Sequence, residues 1–319
     1  MSLRGVTARL HAADVLIIAF LLFLALVTLA FRVPHWWLIV LINCAAVAAI
    51  CVLAWARVAT GSPLLAVVHD WHVAPTMFFA FKELYFIIGP LHGGRDYDDV
   101  LIAADRWLFG VDPTRWLMQF STPWLTEILQ IAYTLFYLLF LAIGFELYRR
   151  ERKDEYHLFM FTCVYGFALS YCGYFLLPAV GPRFTLHDFS ALDRDLPGLL
   201  LTPYLRRFVN YGGSVPMGVP NAEAIALTQR DVFPSGHTMM TLVVIVLGFR
   251  FRLRLRYPVL ATGILLIIAT VYERYHYVVD LLGGAAFMLL CVLTADRLYR
   301  ACTAAFGTTA SQGPPPRGT

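Results

Sequence analysis

The sequence predicts an all-α protein, a polytopic transmembrane helical bundle with seven or eight spans. Three observations carry that expectation. Of 319 residues, 59% are hydrophobic and only 14% charged, against roughly half and a quarter in ordinary soluble domains; the mean hydropathy is +0.67. The apolar residues come in blocks of about 17 to 25, the length a helix needs to cross a bilayer. Arginines cluster where those blocks end, as they do in cytoplasmic loops. The formal charge of +4 therefore belongs to helix ends and does not imply nucleic acid.

The first block covers residues 15–31, after Arg4 and Arg9. A cleaved signal peptide competes for this stretch. The block is long, however, offers no small-x-small cleavage site and runs through Arg32 and Pro34 into a second block at 36–56, so an uncleaved first helix is expected. Residues 1–72 form an N-terminal transmembrane hairpin on this reading. Residues 73–123 are an interfacial or re-entrant segment. Within them, 74–88 is apolar and aromatic but holds Lys82 and Glu83, and Asp96, Asp98, Asp99, Asp105 and Arg106 precede Trp107 and Phe109. Aromatic residues beside charges suit the headgroup layer.

Residues 124–300 hold the remaining spans, at 125–148, 156–177, 236–249, 258–272 and 277–298, with a long, mostly polar loop at 178–234. Residues 301–319 are expected to be disordered, on the strength of Gly313, Pro314, Pro315 and Pro316. Cys44, Cys51, Cys163, Cys172 and Cys291 lie in apolar blocks without CxxC spacing and read as small buried hydrophobes. The arginine-rich loops at 149–153 and 250–256 orient the bundle with those loops in the cytoplasm. The 178–234 loop and the turn at 273–276 then share the extracytoplasmic face. The N-terminus lies inside only if 74–88 crosses.

That face carries the chemistry. Arg230, Asp231, Val232, Phe233, Pro234, Ser235, Gly236, His237 and Thr238 stand where the long loop enters a span. Pro234 can open a helix without losing a needed N–H. Ser235 and Gly236 offer a hydroxyl and approachable N–H groups at a helix N-terminus, which favours an anion. His237 beside such a cradle can protonate a leaving oxygen. In the second cluster, His276 and Asp280 are four apart and share a helical face. A carboxylate on one imidazole nitrogen leaves the other free as nucleophile or base. Arg183, after Gly181 and Pro182, is placed to clamp a phosphate. A lone histidine at a membrane boundary is usually structural. Two histidines, an i+4 aspartate, arginines and a Pro-Ser-Gly-His helix start on one face reverse that expectation.

Pro234-Ser235-Gly236-His237, with His276-x-x-x-Asp280 some forty residues on, resembles the type 2 phosphatidic acid phosphatase superfamily. More narrowly, Gly181-Pro182-Arg183, Phe233 to His237, His276-Tyr277-Val278-Val279-Asp280 and Asp105-Arg106-Trp107-Leu108-Phe109-Gly110 resemble the branch containing inositol phosphorylceramide synthase. Tyr133 and Tyr137 lie in the tyrosine-rich span that follows. The resemblance covers roughly residues 100 to 295. It implies His276 as the nucleophile that becomes phosphohistidine, Asp280 as its orienting carboxylate, and His237 as the acid and then base. It also implies that Arg183, Ser235 and Gly236 hold the phosphate, without metal or cofactor. Leu176 and Thr270 stand where the broader superfamily has a lysine and an arginine, so Arg230 and Arg274 are candidate replacements for those charges.

The expected activity is a metal-independent phosphoryl transfer on a lipid phosphate or phospho-headgroup lipid, on the extracytoplasmic face of a bacterial inner membrane. A phosphatase is favoured for want of a recognisable acceptor site. A headgroup phosphotransferase and a non-catalytic lipid transporter are the alternatives. His69 and His72, with Asp70 between, have a possible metal spacing without an obvious third ligand. Asp96, Asp98 and Asp99 read as a solvated acidic loop. Glu127 faces the active-site side without a site role, and Glu146 is expected to pair with the basic loop.

Overall fold

The computed structural model describes residues 9–306, and the described residues contain helices and no strands. The longer helices, numbered in order, are α1 (Ala12–Phe31), α2 (Trp36–Thr60), α3 (Pro63–Trp71), α4 (Val73–Leu91), α5 (Asp98–Phe109), α6 (Pro123–Thr134), α7 (Phe136–Arg149), α8 (Lys153–Tyr174), α9 (Thr202–Gly212), α10 (Gly236–Arg250), α11 (Arg256–Tyr272) and α12 (Val278–Phe306). The all-α expectation holds. The chain is a multi-pass membrane protein on the length and apolarity of these helices. Four stretches are long and apolar enough to cross a membrane: α1, α2, the α3–α4 run over Pro63–Leu91, and α12; the bent pair α6–α7 makes a fifth if it is one span. At 15 and 17 residues, α10 and α11 are apolar but shorter than these stretches. Seven or eight spans is thus more than length and composition alone support.

The described residues divide into two compact units, the first comprising 9–87, 144–168 and 291–306 and the second 88–143 and 169–290. In the first, α1 and α2 pack against each other. Gly61 ends α2 at φ +63, its N–H donating to the Arg57 carbonyl, and Ser62 then caps α3. Glu83, which made 74–88 hard to read, accepts a hydrogen bond from the Asn43 amide on α2. A polar partner within the bundle is what a carboxylate in an apolar helix requires. Arg150 pairs with Glu146 at 3.0 Å, as expected.

The span expected over 125–148 is broken into α6 and α7, which meet at an angle of 49°. Beside the break, the Thr134 hydroxyl donates to the Gln130 carbonyl at 2.8 Å, a side-chain bond of the kind that bends helices. The 178–234 loop is also more ordered than its polarity suggested. It carries short helices at Pro182–Thr185, Leu192–Asp195 and Asn221–Leu227 besides α9. Phe184, Phe189, Leu192 and Val215 are buried against Leu129, Tyr133 and Tyr272. Glu127 anchors this layer by accepting the N–H groups of Leu199 at 2.9 Å and Thr202 at 3.1 Å at the start of α9. At the far end, α12 continues to Phe306, so residues 301–306 are helical; Gly313 to Pro316, like Arg4, lie outside the described residues.

Candidate active site

The turn between α11 and α12 sets the position of His276. The Thr270 carbonyl accepts the N–H groups of both Tyr275 and His276 at 2.9 Å, and Arg274 adopts a left-handed conformation, φ 65. The imidazole is buried. Its Nδ1 lies 3.0 Å from the Val232 carbonyl and 3.5 Å from Asp280 Oδ2. A carbonyl only accepts, so Nδ1 carries the proton and Nε2 holds the lone pair. Asp280, four residues on as expected, accepts the Tyr277 N–H at 2.8 Å and closes the turn as well as flanking the ring. Burial lowers the His276 pKa to about 4, opposed by the Asp231 carboxylate and the Val232 carbonyl. The ring is neutral near pH 7.

Pro234-Ser235-Gly236-His237 meets this turn directly. The Asp280 carbonyl accepts the Ser235 N–H at 2.9 Å. A Cβ on Gly284 would lie 2.6 Å from the Ser235 carbonyl oxygen, so the bare glycine lets α12 approach the start of α10. The buried Ser235 hydroxyl accepts the Thr238 N–H at 3.2 Å and sits 3.1 Å from the Thr238 hydroxyl. It caps the helix. The first-turn N–H groups of Gly236 and His237 have no carbonyl to meet within the helix, which is the feature that suits a helix start to an anion.

His237 is boxed by aromatic rings from either side of the α6–α7 bend. Tyr133 stacks on it with centroids 4.7 Å apart, and Phe136 lies at 4.4 Å. Its centroid is 5.7 Å from that of His276, with ring planes at 61°. The imidazole at the start of α10 and the one in the α11–α12 turn therefore converge. Tyr133 also stacks on Tyr275 at 4.1 Å and 10°, and the Arg183 guanidinium lies 5.0 Å from the Tyr275 ring centre. Arg183, Tyr275, Tyr133 and His237 thus form one continuous stack. Arg183 Nη1 donates to Asn210 Oδ1 at 2.8 Å and Nη2 to the Thr228 hydroxyl at 3.5 Å, which fixes the plane of its fork.

The other two expected arginines are held elsewhere. Arg230 forks onto Asp96 at 3.0 and 3.3 Å and also donates to the Thr228 carbonyl. Arg274 is buried against Asp195 at 3.1 Å and Met118 Sδ at 2.8 Å. The structure therefore brings together His276, Asp280, His237, Ser235, Gly236 and Arg183, and gives Arg230 and Arg274 to ion pairs.

Sequence reasoning missed the residues that hold this arrangement. Asp98 is buried, not solvated. It accepts the N–H groups of Val180 and Gly181 at 3.0 and 2.8 Å and the Tyr277 hydroxyl at 2.8 Å, tying the Arg183 turn to the His276 turn. Asp105 accepts the N–H groups of Val278 and Val279 at 2.9 and 2.8 Å, capping α12. Burial raises both carboxyl pKa values. The Asp105-Arg106-Trp107 motif was the one sequence signal for this pair.

The PAP2 superfamily model matches residues 99–294, most of the chain and, Asp98 apart, the site residues just described. The chain belongs to the PAP2 superfamily. No curated protein and no solved structure matches it. PAP2 members are phosphatases or phosphotransferases, so membership makes the chain an enzyme of phosphoryl transfer on a lipid phosphate. It does not divide the two activities, nor does it assign the inositol phosphorylceramide synthase branch.

Proposed function

We propose that the protein is a lipid phosphate phosphatase working through a phosphohistidine on His276. The single observation that carries this reading is the pairing of the two imidazoles, 5.7 Å apart, with the His276 Nδ1 proton committed to Val232. His276 Nε2 attacks phosphorus as the bond to the lipid oxygen breaks; His237, whose pKa burial lowers to about 3 and which is so neutral near pH 7 in the free site, takes up the proton of the entering phosphate monoanion and gives it to that oxygen. Water then attacks the phosphohistidine. His237 takes a proton from the water, the P–N bond breaks, and inorganic phosphate leaves with His276 restored. Arg183 and the N–H groups of Gly236 and His237 carry the phosphate oxygens. The route uses the chain's own groups. Arg230 and Arg274 act on it by fixing the 96–98 and 195 segments through their ion pairs.

The same geometry serves a headgroup phosphotransferase if an alcohol replaces water, and the Asp105 to Gly110 motif favours that second reading. The substrate is a lipid phosphate or phospho-headgroup lipid in the bilayer. We place the site on the extracytoplasmic face of a bacterial inner membrane. α10 starts at the site and ends at Arg250, roughly 22 Å away at 1.5 Å per residue, where the arginine-rich loop suits the cytoplasm.

The test is phosphate release by detergent-purified protein from phosphatidic acid, a sphingoid phosphate and a polyprenyl diphosphate. Parallel reactions offer inositol as acceptor. Release lost in His276→Ala supports the phosphatase; a new diester lipid formed only with the alcohol makes it a transferase. Inactivity throughout, with lipid movement retained in His276→Ala, turns the reading to a transporter.

A further inference from the structure

The first unit gathers polar groups that phosphoryl transfer does not use. Four imidazoles follow one another at ring-centroid distances of 4.3 Å (His157 to His11), 4.7 Å (His11 to His69) and 5.5 Å (His69 to His72). Two carboxylates lie among them. Asp14 Oδ2 is 3.0 Å from His69 Nε2, Asp14 Oδ1 is 2.9 Å from His72 Nε2, and Asp70 Oδ1 is 3.8 Å from His11 Nδ1. Asp14 and His69 are each 1% exposed.

We propose that His11, Asp14 and His69 form a structural binding site for a divalent first-row transition metal such as Zn2+. One ligand atom from each lies within 4.8 Å of the others. In a tetrahedral shell with bonds of about 2.0–2.1 Å, ligand atoms stand roughly 3.4 Å apart, so closing on an ion asks for side-chain shifts of about an ångström. A second observation points to a ligand. Neither ring nitrogen of the buried His69 makes a hydrogen bond; the 3.0 Å contact with Asp14 is off the direction one needs. Buried polar atoms usually have partners, and a metal bond supplies one. Two imidazoles and a carboxylate favour a borderline ion over Mg2+ or Ca2+, which prefer oxygen. His72, on the other Asp14 oxygen, orients that carboxylate.

The charges support the choice. The Arg57 guanidinium acts on Asp70; its Nη1 lies 2.6 Å from His11 Nε2 and its Nη2 donates to the Arg9 carbonyl at 2.9 Å. An entering ion competes with Arg57 for the His11 lone pair and meets a second carboxylate, Asp70, beside it. The side chains of His11 and Asp70 are partly exposed, at 11% and 16%. The ion would join the start of α1 to α3, which is why sequence spacing around His69 and His72 offered no third ligand.

The test is metal uptake by the full-length protein, purified with its affinity tag removed. Elemental analysis after incubation with Zn2+ and extensive dialysis is expected to find about one ion per chain. Asp14→Asn and His69→Gln should weaken uptake at least tenfold, while the exposed His35→Ala keeps it. Zn2+ at about a hundredfold excess over Kd should raise Tm by roughly 5 °C, and Mg2+ should not. Zinc-edge absorption on the wild type guards against misfolded variants: imidazole nitrogen in the shell is expected. An all-oxygen shell, no uptake by the wild type, or equal uptake by His69→Gln in a well-folded variant overturns the site.

Discussion

His276 Nδ1 donates to the carbonyl of Val232 at 3.0 Å, so the backbone next to Phe233-Pro234-Ser235-Gly236-His237 fixes the tautomer of the histidine in the other motif. Asp280, at 3.5 Å from the same nitrogen, is a second support. Losing the carboxylate should therefore be milder than losing the ring. Asp280→Asn is expected to lower kcat on the order of 10²-fold, and His276→Ala by more than about 10³-fold. Steady-state phosphate release measures both; equal losses would mean that Val232 does not hold the tautomer.

The stack on His237 gives a second expectation. Tyr133→Leu removes a stacked aromatic pair worth about 0.5–1.5 kcal/mol and should lower kcat roughly 2- to 10-fold, whereas Tyr133→Phe, which keeps the ring, should stay near wild type. A Phe variant as slow as Leu would assign the hydroxyl, not the ring, the leading part.

Arg183 is held by Asn210 and Tyr275, and a lysine reproduces neither the fork nor the stacking. Arg183→Lys should weaken substrate capture about tenfold or more in kcat/KM. Asn210→Ala should do so less, because the Tyr275 face and Thr228 remain. Arg230→Lys is expected to leave KM nearly unchanged, its guanidinium being engaged by Asp96; a KM rise there equal to that of Arg183→Lys would return Arg230 to the phosphate site.

The pH profile follows from burial. His276, lowered to about 4, attacks only when Nε2 is unprotonated. Its acid limb in kcat/KM should therefore fall near pH 4 and not near the ordinary 6.5. Stability carries the matching sign. Below pH 6.5 the unfolded chain takes up a proton that the folded site refuses, so this group's contribution, full above 6.5, is lost as pH falls toward 4. Denaturation midpoints of wild type and His276→Ala across that window check it: the wild type should lose more stability than the variant.

Gly284 has no room for a methyl group. Its Cβ would stand 2.6 Å from a backbone oxygen of Ser235, which cannot swing aside as a side chain can. Gly284→Ala should lower stability by about 1–3 kcal/mol and reduce activity by parting the two motifs. Thermal unfolding with wild-type Tm would contradict that close approach.

The sequence made the His276–Asp280 pair, the Pro234-to-His237 helix start and Arg183 legible because each rests on local spacing or a helix terminus. The supports were hidden for the opposite reason. Asp98 acts on Val180 and Tyr277, and Glu127 on Leu199 and Thr202; all are contacts between distant segments that periodicity does not encode. The 178–234 segment looked like a polar loop because its buried residues, Phe184, Phe189 and Leu192 among them, are scattered among turn residues. The ion pairs of Arg230 and Arg274 were hidden because their partners Asp96 and Asp195 are far off in sequence. Hydropathy likewise gave the apolar blocks but not the bend beside Thr134.

The central claim is that phosphorus passes through the Nε2 of His276. Brief mixing with a lipid phosphate carrying labelled phosphorus, an alkaline quench that preserves phosphohistidine, and peptide mapping test it most directly. The label should sit on the peptide bearing His276, build up further in His237→Ala, and vanish in His276→Ala. Label on another residue, or phosphate release at the wild-type rate from His276→Ala, would contradict it.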